Sequence, residues 1–248
     1  MKIKETRIVC LIPARKGSLG LRRKNLRTVG CFTLVNRAIR VARKITPPAY
    51  LVLSTDDKEI IRKYRKKVDL CIERKIELST SDSLISDVIL DSLQKIEGFL
   101  DSDILILLEP SSPNRTPYDV NKAISIMIKD DYDSLATVSI VDEKYHPYKI
   151  LKSTNGLYID PFMTNVPIIN NRQQITDPAF FRNGIAYLYK LSVARKLHKS
   201  IPDRTGFMII DRPVSNIDHE LDLWLARYLN FKSFFKFKFT KSKNSDHY

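Results

Sequence analysis

The segment Leu11-Ile-Pro-Ala-Arg-Lys-Gly-Ser-Leu-Gly-Leu-Arg-Arg-Lys-Asn25 concentrates residues able to hold an anion. Gly17, Ser18 and Gly20 let a loop turn its backbone N–H groups toward phosphate oxygens, and Arg15, Arg22, Arg23 and Lys24 add positive charge. The pattern is neither a Walker A loop nor a GxGxxG fingerprint, so two readings stand: a phosphate loop or a solvated basic turn. Arg172 and Arg182 carry guanidinium forks that suit bidentate pairing with a carboxylate, or they are ordinary surface in a chain that is 28% charged. Glu109 ends an apolar run, where a carboxylate either accepts hydrogen bonds from hydroxyl groups or anchors a neighbouring loop. Asp218, followed by Glu220 and Asp222, either binds a cation or caps the last helix. His146 precedes Pro147 in a loop and is assigned no chemistry.

The elements that must position these residues alternate. Short apolar runs at Arg7–Pro13, Ala49–Ser54, Val68–Ile72, Ile104–Glu109 and Ser134–Ile140 have the length of buried strands. Helical stretches fall between them at about 33–45, 57–67, 84–97 and 117–130. Strand–helix alternation with short joints predicts an α/β domain: an open, mostly parallel, Rossmann-like sheet with helices on both faces. In such sheets ligands bind at the carboxyl ends of the strands, which is where the Arg15–Asn25 loop and Glu109 lie. From 144 to 182 the periodicity fails and Pro, Asn and Tyr accumulate, so an irregular functional or partner-bound arm is expected there. Strands at Gly184–Tyr189 and Phe207–Ile210 and a helix from about Asp218 follow. Residues 1–240 are read as one domain and 241–248 as a disordered tail.

Composition narrows the classes. At 248 residues with 43% hydrophobic content the chain can bury a sizeable core. No apolar run has the length of a membrane helix. The N-terminal apolar stretch lacks a small-residue cleavage site and reads as a first strand. Cys10, Cys31 and Cys71 are odd in number and fit no metal spacing, as for free thiols in a reducing cytoplasm. The net charge of +14 raises nucleic acid as a partner, but no helix-turn-helix or aromatic-rich strand motif accompanies it. Half of the 42 Lys and Arg lie in residues 1–75, and a second group (Lys232, Lys236, Lys238, Lys241 and Lys243) lies at the C-terminus. Some of this charge suits a triphosphate; runs such as Arg62–Lys67 suit a solvated helix face or a surface that attracts polyanions.

IPARKGSLGLRRKN resembles the signature of the acylneuraminate (sialic acid) cytidylyltransferases, and Lys24-Asn25 fits their nonulosonate branch better than the related Kdo cytidylyltransferases, which carry Lys-Pro. The resemblance continues in order through LSTDD (53–57), ERKIELS (73–79), LLEPSSPNRT (107–116), HPYK (146–149), NRQQ (171–174), RNGIAY (182–187) and SNIDHELDL (215–223). It implies a nucleotide-diphospho-sugar transferase type of sheet with a protruding dimerisation segment, in a cytoplasmic homodimer. The implied reaction moves CMP from CTP to the anomeric hydroxyl of a nine-carbon acidic sugar with release of pyrophosphate. Arg15, Ser18 and Lys24 would hold the phosphates, Asn25 and Arg74 the cytidine, Lys149, Arg172 and Arg182 the sugar acid with Glu109 near it, and Asp218 would bind Mg²⁺. Arg15, Lys24 and Asp218 would act in catalysis.

The sequence also departs from the family pattern. Asn216 stands where one of two aspartates is usual, Leu19 where a Lys is usual, and Glu109 where Gln is common. RPAEL has become RKIEL, and the segment after it is one residue short. The alternatives are therefore a Kdo-type or other sugar nucleotidyltransferase, or a catalytically impaired homologue that binds nucleotides or polyanions.

Overall fold

The structure, a computed structural model, describes residues 6–18, 20–164, 177–198 and 201–243. In chain order the elements are β1 (Ile8–Pro13), a short hairpin of β2 (Thr28–Val29) and β3 (Phe32–Thr33), α1 (Leu34–Ala42), β4 (Ala49–Thr55), α2 (Lys58–Tyr64), β5 (Leu70–Glu73), α3 (Ile85–Leu93) and β6 (Ile104–Leu107). They continue with α4 (Pro117–Lys129), β7 (Ser134–Ile140), a hairpin of β8 (Leu151–Thr154) and β9 (Tyr158–Pro161), β10 (Phe180–Lys190), α5 (Leu191–Ala194), β11 (Thr205–Ile209) and α6 (Glu220–Lys243).

Seven strands form the main sheet in the order β11-β7-β10-β6-β1-β4-β5. β1 pairs in parallel with β4 and β6, β4 with β5, and β7 with β11, while β10 runs antiparallel between β6 and β7. The continuous apolar runs in β1 and β6 follow from burial on both faces. Ile8, Cys10 and Ile12 point into one core and Val9 and Leu11 into the other; Ile104, Ile106 and Leu108 oppose Leu105 and Leu107 in the same way. Helices α1, α2 and α4 cover the first face, and α3 and α5 the second. Each buried Ile or Leu contributes about 1.5–3 kcal/mol, more than the roughly 1 kcal/mol net of one ladder hydrogen bond, so side-chain burial sets the register.

The helices start where their caps put them. Thr33 Oγ1 accepts from the Asn36 N–H, and the Asp57 carboxylate accepts from the Glu59 N–H. Thr116 and Asp119 form a reciprocal capping box ahead of Pro117.

The chain runs β1, then β4 and β5 outward on one side, then back to β6 on the other side of β1. This reversal opens a crevice beyond the carboxyl ends of β1 and β6. The mostly parallel doubly wound sheet expected from the sequence is thus present.

Two segments differ from the sequence reading. Part of the expected irregular arm is regular: β8 and β9 pair as an antiparallel hairpin through Asn155 and Gly156, both at positive φ (56° and 70°). The last residues of that stretch, Phe180–Arg182, already belong to β10. At the C-terminus α6 runs to Lys243, so three of the eight expected tail residues are helical, and 244–248 lie outside the described residues. No described helix is long and apolar enough to cross a membrane. The three cysteines are free.

Candidate active site

The loop that leaves β1 is held at several points. Asn25 is buried and donates from Nδ2 to the Arg15 carbonyl at 2.8 Å, closing the two ends of the loop on each other. Arg15 Nη1 donates to the Thr80 carbonyl at 2.6 Å, which fastens the loop to the segment following β5. The Lys16 N–H donates to Asp56 Oδ1 at 2.7 Å, so that amide is already taken and does not face an incoming anion. Arg23 sits in the left-handed region (φ 56°) and its guanidinium pairs with Glu59. Lys63 and Arg23 together hold the Glu59 carboxyl down at about 2. Arg23 is therefore engaged with Glu59. Position 19 itself lies outside the described residues.

Lys24 reaches the other end of the chain. Its Nζ donates to the Ile217 carbonyl at 2.8 Å and to Asp218 Oδ1 at 2.9 Å. Asp218 does not cap α6. The helix start is capped by Asp222, whose Oδ2 accepts from the N–H groups of Asp218 and His219, each at 2.9 Å. The Asp218 side chain is left 64% exposed. Gly20 makes this approach possible: a Cβ there would overlap the Asp218 carbonyl and the His219 ring.

Arg74 is buried and donates from Nε to Ser54 Oγ at 3.1 Å and from Nη2 to the Ser54 carbonyl at 2.8 Å. Burial lowers its guanidinium to about 10, so it remains a cation at neutral pH. Glu109 sits just past β6, half-buried, and its carboxylate takes no hydrogen bond from the described residues. Desolvation raises its pKa, opposed by Arg115, Lys24 and Arg182.

Seven of the ten residues expected at the site (Arg15, Ser18, Lys24, Asn25, Arg74, Glu109 and Asp218) line one cavity of about 290 Å³ at the carboxyl end of β1. A second cavity of about 430 Å³ meets it at Ile85, Glu109 and Asn216, and contains Arg182, Tyr187, Tyr189 and His198. Glu109 stands at the junction. A larger, more open hollow of about 860 Å³ adjoins at Ser18 and Thr80. It is lined by the cations Lys16, Arg22, Arg23 and Lys58 and the carboxylates Asp56, Asp57 and Glu59, and Arg23 is already paired with Glu59.

Lys149 is exposed on a single helical turn, Pro147–Lys149, and lines neither of the two joined cavities. Arg172 lies outside the described residues. His146 is buried, accepts from the Tyr148 N–H and bonds the Asp177 carbonyl through Nε2 at 3.0 Å, a structural role that leaves it no chemistry.

Several residues of the site escape a reading of the sequence. Thr80, Ser81 and Ser83 line the cavity, and their one signal is the Ser/Thr cluster at 79–83, one helical turn beyond β5. Arg115 is 5% exposed and donates to the carbonyls of Glu109 (2.8 Å), Gly184 (2.8 Å) and Ile185 (2.6 Å). It thereby fixes the backbone under Glu109, and nothing local in the sequence marks it as buried. Gly184 (φ 74°) lies in the β10 bulge, where a side chain would strike Ser112 Oγ.

A divalent cation would find oxygen donors here in the Asp218 carboxylate, the Asn216 amide oxygen and the Glu109 carboxylate, which line the same cavity. Among the described residues no group of three His, Cys, Asp or Glu forms a cage. Few carboxylates and hard oxygens suit Mg²⁺ completed by phosphate oxygens, so these residues fit that ion.

A cavity lined by Arg15, Lys24 and Arg74 at the switch point of an open α/β sheet, joined to a second cavity with an arginine and tyrosines, suits a nucleotide-dependent transferase. The model of the cytidylyltransferase family matches residues 9–139, and the chain belongs to that family as a CTP-dependent nucleotidyltransferase. It is 26% identical over 237 residues to post-translational flagellin modification protein B of Campylobacter coli, covering 90% of this chain and 94% of that one. It is 28% identical to CMP-N,N'-diacetyllegionaminic acid synthase of Legionella pneumophila, covering 73% and 77%. It is also 28% identical to N-acylneuraminate cytidylyltransferase of Streptococcus agalactiae, but spans only 42% of that protein's length. The fold is shared with CMP:2-keto-3-deoxy-manno-octonic acid synthetase complexed with CTP (TM-score 0.67, 20% identity, covering 92% of this chain and 100% of that one).

Proposed function

We propose that the protein transfers CMP from CTP to the anomeric hydroxyl of a nonulosonic, sialic-acid-like sugar acid. The observation that carries this reading is the convergence of Arg15, Ser18, Lys24, Asn25, Arg74, Glu109 and Asp218 on one cavity. The relatives named as synthases of CMP-legionaminate and as N-acylneuraminate cytidylyltransferases support the sugar class.

In this reading the sugar hydroxyl attacks the α-phosphorus of CTP in line and pyrophosphate departs. Such a step needs alignment and neutralisation of growing charge more than covalent help. Arg15 and Lys24 hold the phosphates and stabilise the charge on the leaving pyrophosphate. Arg74, fixed by Ser54, meets the nucleoside side of the cavity. Asn25 already spends its Nδ2 on the Arg15 carbonyl, which leaves its Oδ1 for the nucleoside. Glu109 accepts hydrogen bonds from sugar hydroxyls, and Arg182 in the adjoining cavity pairs with the sugar carboxylate. Asp218, with Asn216 beside it, would hold Mg²⁺, which when bound supplies charge neutralisation at the phosphates.

Lys149 and Arg172 belong to the stretch 144–182, whose hairpin exposes Leu157, Tyr158 and Ile159 at 71–79%. These apolar side chains support docking of the arm on a second copy of the chain, which would carry Lys149 and Arg172 toward a partner's sugar cavity. Light scattering at micromolar concentration should report a dimer; a monomer would remove this part.

The function is tested by incubating the protein with CTP, Mg²⁺ and a panel of eight- and nine-carbon keto sugar acids while measuring pyrophosphate. Release with a nonulosonic acid supports the reading. Release only with the eight-carbon acid moves the assignment to a Kdo-type enzyme. No release from folded protein rejects both.

A further inference from the structure

The surface of α6 carries a feature that nucleotide transfer does not use. The inner face of the helix packs Leu223 and Ala226 into a small core with Leu21, Val29, Leu34 and Ile217. Arg227 Nε donates to the Thr28 carbonyl at 3.0 Å and Asn114 Nδ2 to the Ala226 carbonyl at 3.3 Å, fixing the first turns against the body of the protein. The outer face is apolar as well. Leu221, Trp224, Leu225, Tyr228 and Phe231 recur at helical spacing and are 37–75% exposed, with the Trp224 and Tyr228 rings stacked at 5.8 Å. Beyond them the helix continues to Lys243 through the sequence FKSFFKFKFTKSK.

Charge decides what such a face fits. From Leu223 to Ser245 there is no Asp or Glu, while Lys232, Lys236, Lys238, Lys241 and Lys243 follow the aromatic stripe. An apolar aromatic face followed in the chain by a segment whose only charges are lysines is complementary to an anionic lipid surface: aromatic rings settle at the headgroup level and lysines meet the phosphates. A nucleic acid would use the cations but not the aliphatic part of the stripe, and a second copy of this chain would bring the same cations against each other. We propose that α6 docks the protein on anionic bilayer surfaces as a peripheral, in-plane helix.

Trp224 is the only tryptophan of the chain, so its fluorescence reports this face directly. The full-length protein is mixed with vesicles of phosphatidylcholine alone or with phosphatidylglycerol. The expected result is a blue shift of Trp224 emission and co-sedimentation with the anionic vesicles only, both reduced by high salt. The variant Leu221→Ser/Tyr228→Ser/Phe231→Ser, whose positions line neither of the joined cavities and which keeps Trp224, should lose on the order of tenfold in vesicle partitioning. Its cytidylyl transfer in vesicle-free solution should be unchanged. Absence of any shift or sedimentation overturns the proposal. So does equal binding to both vesicle types, vesicle binding by the triple variant at the native level, or loss of dimer in that variant without loss of vesicle binding. Retention on RNA or heparin with no vesicle binding overturns it in favour of a polyanion site.

Discussion

Lys24 and Asp218 are 194 positions apart in the chain, yet Lys24 Nζ lies 2.9 Å from Asp218 Oδ1. The contact ties the loop after β1 to the residues that precede α6. It also stands a candidate phosphate cation beside a candidate metal carboxylate, so each holds the other in place for ligands that need both.

Substituting either member should cost activity, and Asp218→Ala should cost little stability. Lys24→Ala and Asp218→Ala are each expected to lower kcat by roughly 10²–10³-fold, the usual effect of removing a group aimed at developing charge. Because Asp218 is 64% exposed, the melting temperature should scarcely move. The double variant should fall little below the singles, since the two act as a unit. Pyrophosphate release and thermal melts check this, and a near-native rate in Asp218→Ala would remove that residue from the site.

Arg115 behaves in the opposite way. Replacing it with Met would leave the buried carbonyls of Glu109, Gly184 and Ile185 without their donor. The expected loss is about 3 kcal/mol or more in urea unfolding. Arg115→Lys should recover little, because an ammonium lacks the fork that reaches three acceptors.

Glu109→Gln tests the desolvated carboxylate through pH. Its native pKa is raised above the ordinary 4.5 by burial. Between 4.5 and the raised value the native state binds more protons than the unfolded state, so the native protein loses stability as pH rises through that window. Gln removes this penalty. The variant should melt higher than the native protein at pH 7–8, and the difference should vanish as pH falls below 4.5. A pH-independent difference would show that Glu109 is not the group responsible.

Asn216→Asp would add a carboxylate to the cavity that already holds Asp218 and Glu109. The expected outcome is a roughly three- to tenfold lower Mg²⁺ concentration for half-maximal activity. An unchanged Mg²⁺ titration would place position 216 away from the cation.

Several of these features are legible in the order of residues alone. The doubly wound sheet can be read because β1 and β6 are buried on both faces, which leaves an unbroken apolar run in the chain. The loop from Arg15 to Asn25 can be read because its residues are neighbours in sequence. The β8–β9 hairpin escapes such a reading, although Asn155-Gly156 is a turn signal. Its strands face solvent and carry no alternation toward a core. The pattern shows β10 only over Gly184–Tyr189, because the bulge between Arg182 and Tyr187 breaks the period and makes the outer residues Phe180–Arg182 look irregular.

Residue type and local order alone determined the sheet, the position of the basic loop after β1 and the family. Only the tertiary structure decided which partners complete the site: Thr80 on Arg15, Ser54 on Arg74, Arg115 beneath Glu109, Asp218 on Lys24, and Lys149 left outside the joined cavities. The reason is physical. Strand and helix patterns are set by burial, which repeats over neighbouring residues. The hydrogen bonds that fix a site link loops from distant strands, and their lengths follow from how the layers pack.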